Sequence, residues 1–186
     1  KSSTGVTVSG LSDLSKDKSY LFISNHRDIA LDPALISYLL HRENHGTIEI
    51  AIGDNLLKKP FISDLMRLNR SFLVKRSVQG REKLLASKIL SQYMHTAVEG
   101  GNNVWIAQRE GRAKNGIDVT DPTVIKMLYM GKRDEDPRPS LQDAINGLHI
   151  IPVSISYEYD PCDGDKAKEL FEIETNGSFT KSEKSD

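Results

Sequence analysis

The chain is poor in cysteine, since Cys162 is the only one among its 186 residues. A single cysteine excludes an intramolecular disulfide and a cysteine-based metal site, and it is typical of proteins in a reducing compartment, so we expect the cytoplasm. The longest apolar runs, such as YLFI and LHIIPVSI, fall far short of the ~18 to 20 residues that a transmembrane helix needs, and no N-terminal signal pattern is present. We therefore expect a soluble or surface-bound protein.

The chain also lacks an excess of charge of either sign. Its 25 lysines and arginines balance 26 aspartates and glutamates, which leaves a formal net charge of −1. So small a charge gives no overall field that would attract nucleic acid or an anionic membrane, so we expect no nucleic-acid partner and look for anion sites in local clusters. We also expect no metal, because four of the histidines lack ligand spacing with acidic partners, namely His41, His45, His95 and His149.

The length suits one compact unit, because a chain of this size buries roughly 70% of its extended surface on folding. We expect a single domain over residues 1–186. The start KSSTGVTVSG has no methionine and the end ETNGSFTKSEKSD is polar and without periodicity. These features leave open that the chain is a fragment truncated at one or both ends.

Strand-like and helix-like segments alternate along the sequence. Segments rich in β-branched and aromatic residues predict strands at 19–25, 47–53, 71–76, 103–108 and 149–159. The segment at 80–98 has a clear helical period, Asp32 and Pro33 are an N-cap and first-turn pair for a helix to about His41, and shorter helices are predicted at 61–68, 122–130 and 140–146. This alternation predicts an α/β fold with a mixed, largely parallel central sheet flanked by helices.

Polar clusters follow three of the predicted strands. NHRDIALD follows the first strand, KRS follows the third and REGRAKNG follows the fourth. In sheets of this class, functional groups collect beyond the carboxyl ends of the strands. We therefore expect the three clusters to lie along one edge of the sheet.

The first cluster pairs a histidine with aspartates. Histidine is well suited to take a proton from an alcohol near neutral pH, and a carboxylate on its far nitrogen fixes the tautomer and stabilises the imidazolium. His26 has two candidate partners, Asp32 and Asp28. The alternative is that Asp32 is only a helix cap, worth roughly 1 kcal/mol, and that His26 is an ordinary loop histidine.

The other two clusters are basic. Lys75 and Arg76 end one strand, and Arg109, Arg112 and Lys114 follow another. A guanidinium binds phosphate through two parallel hydrogen bonds, so these residues favour a phosphate-bearing acceptor. A solvated charged rim is the alternative for either cluster taken alone.

The four stretches NHRDIALDP, FLVKR, REGRAKNG and IIPVSISY, in this order, resemble the four sequence blocks of the glycerolipid acyltransferase superfamily, which includes glycerol-3-phosphate and lysophosphatidate acyltransferases. The resemblance covers Leu21 to Tyr157. It implies a glycerol-3-phosphate acyltransferase-like fold and an O-acyltransferase. Such an enzyme moves a fatty acyl group from acyl-CoA or acyl carrier protein to a hydroxyl of glycerol-3-phosphate or a lysophospholipid, needs no further cofactor, and works on the inner membrane face.

The resemblance also assigns roles to residues. His26 resembles the family's general base, Asp32 its orienting partner, and Arg76, with Lys75 beside it, the arginine that contacts the acceptor phosphate. Five residues rather than four separate His26 from Asp32, so Asp28 stays open as the orienting carboxylate. The third block is one residue shorter than the family pattern. The remaining positions that match substrate-binding blocks are Glu110, Gly111, Arg112 and Pro152.

Two alternatives remain open in the sequence. The segment 53–69 mixes apolar and basic residues and suits a membrane-surface helix, the lining of an acyl channel or ordinary core packing. The whole chain also fits a noncatalytic phospholipid- or anion-binding module that retains the acyltransferase fold but whose histidine and aspartate have lost their chemistry.

Overall fold

The computed structural model describes residues 5–54, Asp64 and residues 68–179. Within these residues the chain forms strands and helices after a short 3₁₀ helix at Leu11–Asp13. The strands are β1 (Leu21–Ser24), β2 (Ile48–Gly53), β3 (Ser71–Val74), β4 (Asn103–Ala107) and β5 (Ile150–Val153). The helices are α1 (Leu31–Arg42), α2 (Gly80–Glu99), α3 (Pro122–Met130), α4 (Leu141–Asn146) and α5 (Asp163–Asn176).

The strands form one sheet in the order β3-β2-β4-β1-β5. Each of the four pairings is parallel, with Phe22 in register with Trp105 and Ile23 in register with Pro152. The predicted α/β fold is therefore confirmed. Because β4 and β5 flank β1, the loops that leave these three strands meet at the carboxyl edge of the sheet.

Both faces of the sheet are buried, because successive strand residues point to opposite sides. Leu21 and Ile23 belong to one core cluster, which α2 completes with Met94, Ala97 and Val98. The opposite cluster is completed by α1 and consists of Tyr20, Phe22, Ile36, Leu40, Ile48 and Trp105. This double packing holds β1 rigidly, so the loop after β1 begins from a fixed point.

The sequence predictions needed corrections at several boundaries. β5 ends at Val153 rather than at 159, because the backbone of Ile155 hydrogen-bonds the side-chain amide of Asn25 at 2.7 and 2.8 Å instead of continuing the ladder. Helix α5 was not predicted. Ala30, not Asp32, is the N-cap residue of α1. Most of the predicted helix at 61–68, and most of the segment 53–69, lies outside the described residues.

Candidate active site

His26 and Asp32 meet at the carboxyl end of β1. His26 Nδ1 lies 2.8 Å from Asp32 Oδ2, and the side chains are 12% and 0% exposed, respectively. The His26 ring packs edge-on against Trp105, with 5.6 Å between ring centroids. A proton on Nδ1 would be donated to the carboxylate, and in that tautomer of the neutral ring Nε2 is the basic nitrogen.

The Asp32 carboxylate is held from several sides. Oδ2 accepts the backbone N–H groups of Arg27 and Asp28 at 2.7 and 3.0 Å, and Oδ1 accepts the Tyr157 hydroxyl at 2.7 Å. Burial raises the pKa of Asp32, but the hydrogen bonds from His26, Asp28, Tyr157 and Arg27 outweigh burial and leave this pKa below its usual value. Asp32 is therefore a buried anion whose orientation is fixed.

Asp28 forms no hydrogen bond with the His26 ring in this arrangement; that bond is made by Asp32. Its Oδ1 accepts the backbone N–H groups of Ala30 and Leu31 at 2.9 and 2.8 Å, at the start of α1. Asp28 thus shapes the turn into the helix, and the carboxylate that the structure places against the ring is that of Asp32. The extra residue between His26 and Asp32 is accommodated by this turn.

Tyr157 was not among the sequence-predicted site residues. Burial and the hydrogen bond to Asp32 raise its pKa well above the usual value, so the phenol stays protonated and donates to the carboxylate. It lies 125 positions from Asp32 in sequence, and the only signal for it was its place at the end of the fourth block.

Asp118 is a second residue that the sequence did not reveal. Its Oδ2 accepts the backbone N–H of His26 at 2.6 Å, while its Oδ1 is buried and has no hydrogen-bond partner among the described residues. Asp118 fixes the backbone of His26 from the loop after β4, as Asp32 fixes the ring from α1.

The third block lies directly beside His26. The N–H of Ala113 donates to the His26 carbonyl at 2.8 Å, and Gly111 has a φ of 78°, a left-handed conformation that favours glycine. Arg112 is half-buried next to these contacts, whereas Glu110 is exposed. The structure therefore brings the Glu110–Arg112 turn to the loop that carries His26.

Lys75 and Arg76 lie farther away. Both are exposed beyond the end of β3, where the Arg76 N–H donates to Asp54 at 3.2 Å. The carboxyl ends of β3 and β1 lie on the same side of the sheet, but the two strands are three strand spacings apart, which corresponds to about 14 Å. A ligand would have to extend along the edge to meet both Arg76 and His26.

Pro152 is not brought to the histidine. It is exposed on the edge strand β5, where the missing N–H of proline costs no ladder hydrogen bond. Its register partner Ile23 packs on the sheet face opposite to Trp105, the residue that contacts the His26 ring.

The described residues contain neither a cluster of metal-ligating side chains nor a helix that could span a membrane. Across residues 5–54, Asp64 and 68–179, no group of three or more histidine, cysteine, aspartate or glutamate side chains is arranged to hold a metal ion. In the same part of the chain, every helix is too short or too polar to cross a bilayer.

Comparison with known proteins gives the family. A family model described as Acyltransferase matches residues 5–156. The chain is 30% identical over 151 residues to a glycerol-3-phosphate acyltransferase of Ectopseudomonas mendocina, and 26% identical to proteins of the same name from Pseudomonas paraeruginosa and Pseudomonas syringae pv. tomato. These alignments cover 81% of the chain but 17% of each relative, so the chain spans about a sixth of their length. Since the family match includes most of its residues, the chain belongs to the acyltransferase family, within the glycerolipid acyltransferase superfamily that its four sequence blocks resemble.

Proposed function

We propose that the protein is an O-acyltransferase that moves a fatty acyl group from a thioester to the hydroxyl of glycerol-3-phosphate or a lysophospholipid. The observation that carries the proposal is the 2.8 Å contact between His26 Nδ1 and the buried carboxylate of Asp32. A neutral histidine oriented by a carboxylate is the arrangement that activates a hydroxyl.

In the proposed reaction, His26 Nε2 takes the proton of the acceptor hydroxyl while the hydroxyl oxygen attacks the thioester carbonyl carbon. The buried Asp32 anion stabilises the imidazolium that forms. The tetrahedral intermediate then expels the thiolate, which receives the proton from His26, so the products are an ester and a free thiol. The thiolate leaves readily, so the protein mainly supplies orientation and a base.

The acceptor phosphate is proposed to bind the basic groups along the carboxyl edge of the sheet. Arg112, in the turn beside His26, and Arg76, at the far strand, are the two guanidinium groups that match the family blocks. An acceptor with both a phosphate and a hydroxyl suits this arrangement, because His26 follows one strand and the basic residues follow other strands at the same end of the sheet. The name glycerol-3-phosphate acyltransferase, carried by the relatives, supports this acceptor class.

The acyl donor is proposed to be acyl-CoA or acyl carrier protein, since both present a fatty acid as a thioester. Because the acceptors and products include membrane lipids, we propose that the protein works at the cytoplasmic surface of the inner membrane.

Substitution of His26 tests the proposal. His26→Ala should lower kcat for acyl transfer by roughly 10²- to 10⁴-fold, the range that general-base catalysis supplies, while calorimetry shows retained glycerol-3-phosphate binding. His41→Ala is the matched control, because His41 is an exposed histidine in the last turn of α1. Full transfer by His26→Ala would refute the proposal, and acceptor binding without any transfer by the unaltered protein would favour the noncatalytic module.

A further inference from the structure

Lys166 is a buried lysine whose charge faces the loop that carries His26. It lies in the first turns of α5 and is 4% exposed. Its Nζ donates to the carbonyl oxygen of Arg27 at 2.8 Å and to Asp160 Oδ2 at 2.6 Å. A buried ammonium group is costly unless its hydrogen bonds are made, so these two contacts determine its position.

The carbonyl that Lys166 contacts leads to Asp32 through a single peptide group. The Arg27 carbonyl and the Asp28 N–H belong to one peptide unit, and that N–H donates to Asp32 Oδ2 at 3.0 Å. Asp32 Oδ2 also faces the His26 ring. A hydrogen bond to a carbonyl polarises its peptide and strengthens the N–H as a donor. Lys166, the peptide, Asp32 and His26 therefore form one continuous chain of hydrogen bonds.

Asp160 completes this arrangement. Its Oδ2 pairs with Lys166. Its Oδ1 accepts from the Arg27 Nε–H at 3.0 Å and lies 3.0 Å from Arg27 Nη2 in an ion pair. Arg27 Nη1 in turn donates to the Ala113 carbonyl at 2.7 Å, and the Ala113 N–H donates to His26. Asp160 is thus shared by two cations, Lys166 and Arg27. Together these three groups hold the His26 loop from both sides.

We propose that Lys166, with Asp160 as its counter-ion, is a positioning residue that orients Asp32 and tunes the basicity of His26 through the Arg27–Asp28 peptide. This inference rests on the proposed role of His26 as the base. Lys166 and Asp160 lie beyond residues 5–156, the range that the family model matches. The support for the catalytic loop therefore includes residues of the C-terminal segment that the family match does not reach.

The sign of the effect on His26 follows from the charges around its loop. Removing the Lys166 ammonium removes a cation and weakens the Asp28 N–H donor, so more of the Asp32 charge acts on the imidazolium. Both changes favour the protonated form of the His26 ring. Neutralising Asp160 leaves the ammonium uncompensated and disfavours that protonated form. The charged groups that contact this loop are Asp32 and Asp28 from the α1 turn, Asp118 from the loop after β4, Arg27 itself, and Asp160 and Lys166. Beside it, in the turn after β4, lie Glu110 and Arg112, and Lys114, which pairs with Glu169 of α5.

Proton NMR titration of the histidine ring signals tests this directly, with His26→Gln used to assign the His26 signal. In Lys166→Met the His26 midpoint should rise by about half a pH unit, less than the 1 to 3 units that a directly contacting charge gives. In Asp160→Asn the His26 midpoint should fall. In Lys166→Arg, which keeps the charge, the midpoint should equal that of the unaltered protein. Lys168→Met is the matched control, because Lys168 is on the same helix and its side chain is 72% exposed.

Kinetics give an independent measurement. Lys166→Met should lower kcat by ~10-fold or more through misorientation of the base, with the acceptor KM little changed. An unchanged His26 midpoint in folded Lys166→Met overturns the inference. If that variant fails to fold, an unchanged or raised midpoint in Asp160→Asn overturns it instead. The NMR result does not depend on turnover, so failure of the acyltransferase proposal, seen as full transfer by His26→Ala, is distinguishable from failure of this inference.

Discussion

Replacing Asp32 by asparagine removes one charge from the site with almost no change of shape. The Asp32 side chain is fully buried, and its Oδ2 accepts from His26, Arg27 and Asp28. An asparagine can keep its oxygen at this position and turn its NH₂ toward the Tyr157 oxygen, which is able to accept. The substitution therefore isolates the charge of the carboxylate from its geometry.

The cost to catalysis follows from the loss of the buried counter-charge. Without it the imidazolium that forms when His26 takes a proton is unstabilised, so most of the general-base contribution of about 10²- to 10⁴-fold should disappear. This corresponds to roughly 2.7 to 5.4 kcal/mol in activation free energy. The free energy of unfolding should fall by only about 1 kcal/mol per hydrogen bond, because each bond changes from charged to neutral.

The stability difference should also depend on pH. Burial raises the pKa of Asp32, but its hydrogen bonds lower this pKa by more than burial raises it. The pKa in the folded state therefore lies below the usual 3.8. A carboxyl group whose pKa is depressed on folding stabilises the folded state above its unfolded pKa, and that contribution is lost as the pH falls through the folded pKa. Urea unfolding should therefore show the unaltered protein losing its advantage over Asp32→Asn below about pH 4.

The rate should be measured with a radiolabelled acyl donor, because Cys162 is an exposed free thiol and would react with thiol-detecting reagents. Circular dichroism and thermal unfolding verify that the variant is folded. A folded Asp32→Asn protein with the kcat of the unaltered protein would refute the reasoning, since it would show that the buried charge has no part in the reaction.

Two further predictions concern the cationic edge and the packing of the helices. Arg76→Ala should raise the acceptor KM by ~10-fold or more with kcat little changed, as expected for loss of a charged hydrogen bond. Arg81→Ala is the control, because Arg81 is also exposed, and it should leave the acceptor KM unchanged. If Arg76→Ala has the same acceptor KM as the unaltered protein, Arg76 is not part of the site. Gly131→Ala should lower the free energy of unfolding by about 1 to 3 kcal/mol, because the added Cβ would lie 2.6 Å from the backbone nitrogen of Gln92. Gly147→Ala, whose Cβ would be 3.5 Å from its nearest neighbour, is the control in chemical denaturation.

Much of the fold could be predicted because its signals are local. Each of the five strands lies in a segment rich in β-branched or aromatic residues. Asp121 and Pro122 begin α3 at the predicted position, and the Asp121 carboxylate accepts from the Thr123 N–H at 2.8 Å. α5 was missed because its sequence DGDKAKELFEIETN is dominated by charge and has no clear apolar stripe. The end of β5 was misplaced because the hydrogen bond to Asn25 spans 130 positions of sequence.

The site divides in the same way. His26 and Asp32 are six positions apart and could be recognised from one short motif. Their supports could not, because Asp118 reaches His26 across 92 positions and Lys166 reaches Arg27 across 139. Such contacts depend on which strands are neighbours, and the strand order is a property of the folded sheet rather than of any local pattern. The place of Pro152, opposite to the His26 side of the sheet, follows from that same register.

The most direct test of the central claim compares two measurements on the unaltered protein: the pH dependence of kcat/KM for acyl transfer to glycerol-3-phosphate, and the NMR titration of the His26 ring. If His26 is the base, kcat/KM should rise with pH and its midpoint should coincide with that of His26. A rate that stays constant through the His26 titration would contradict the account.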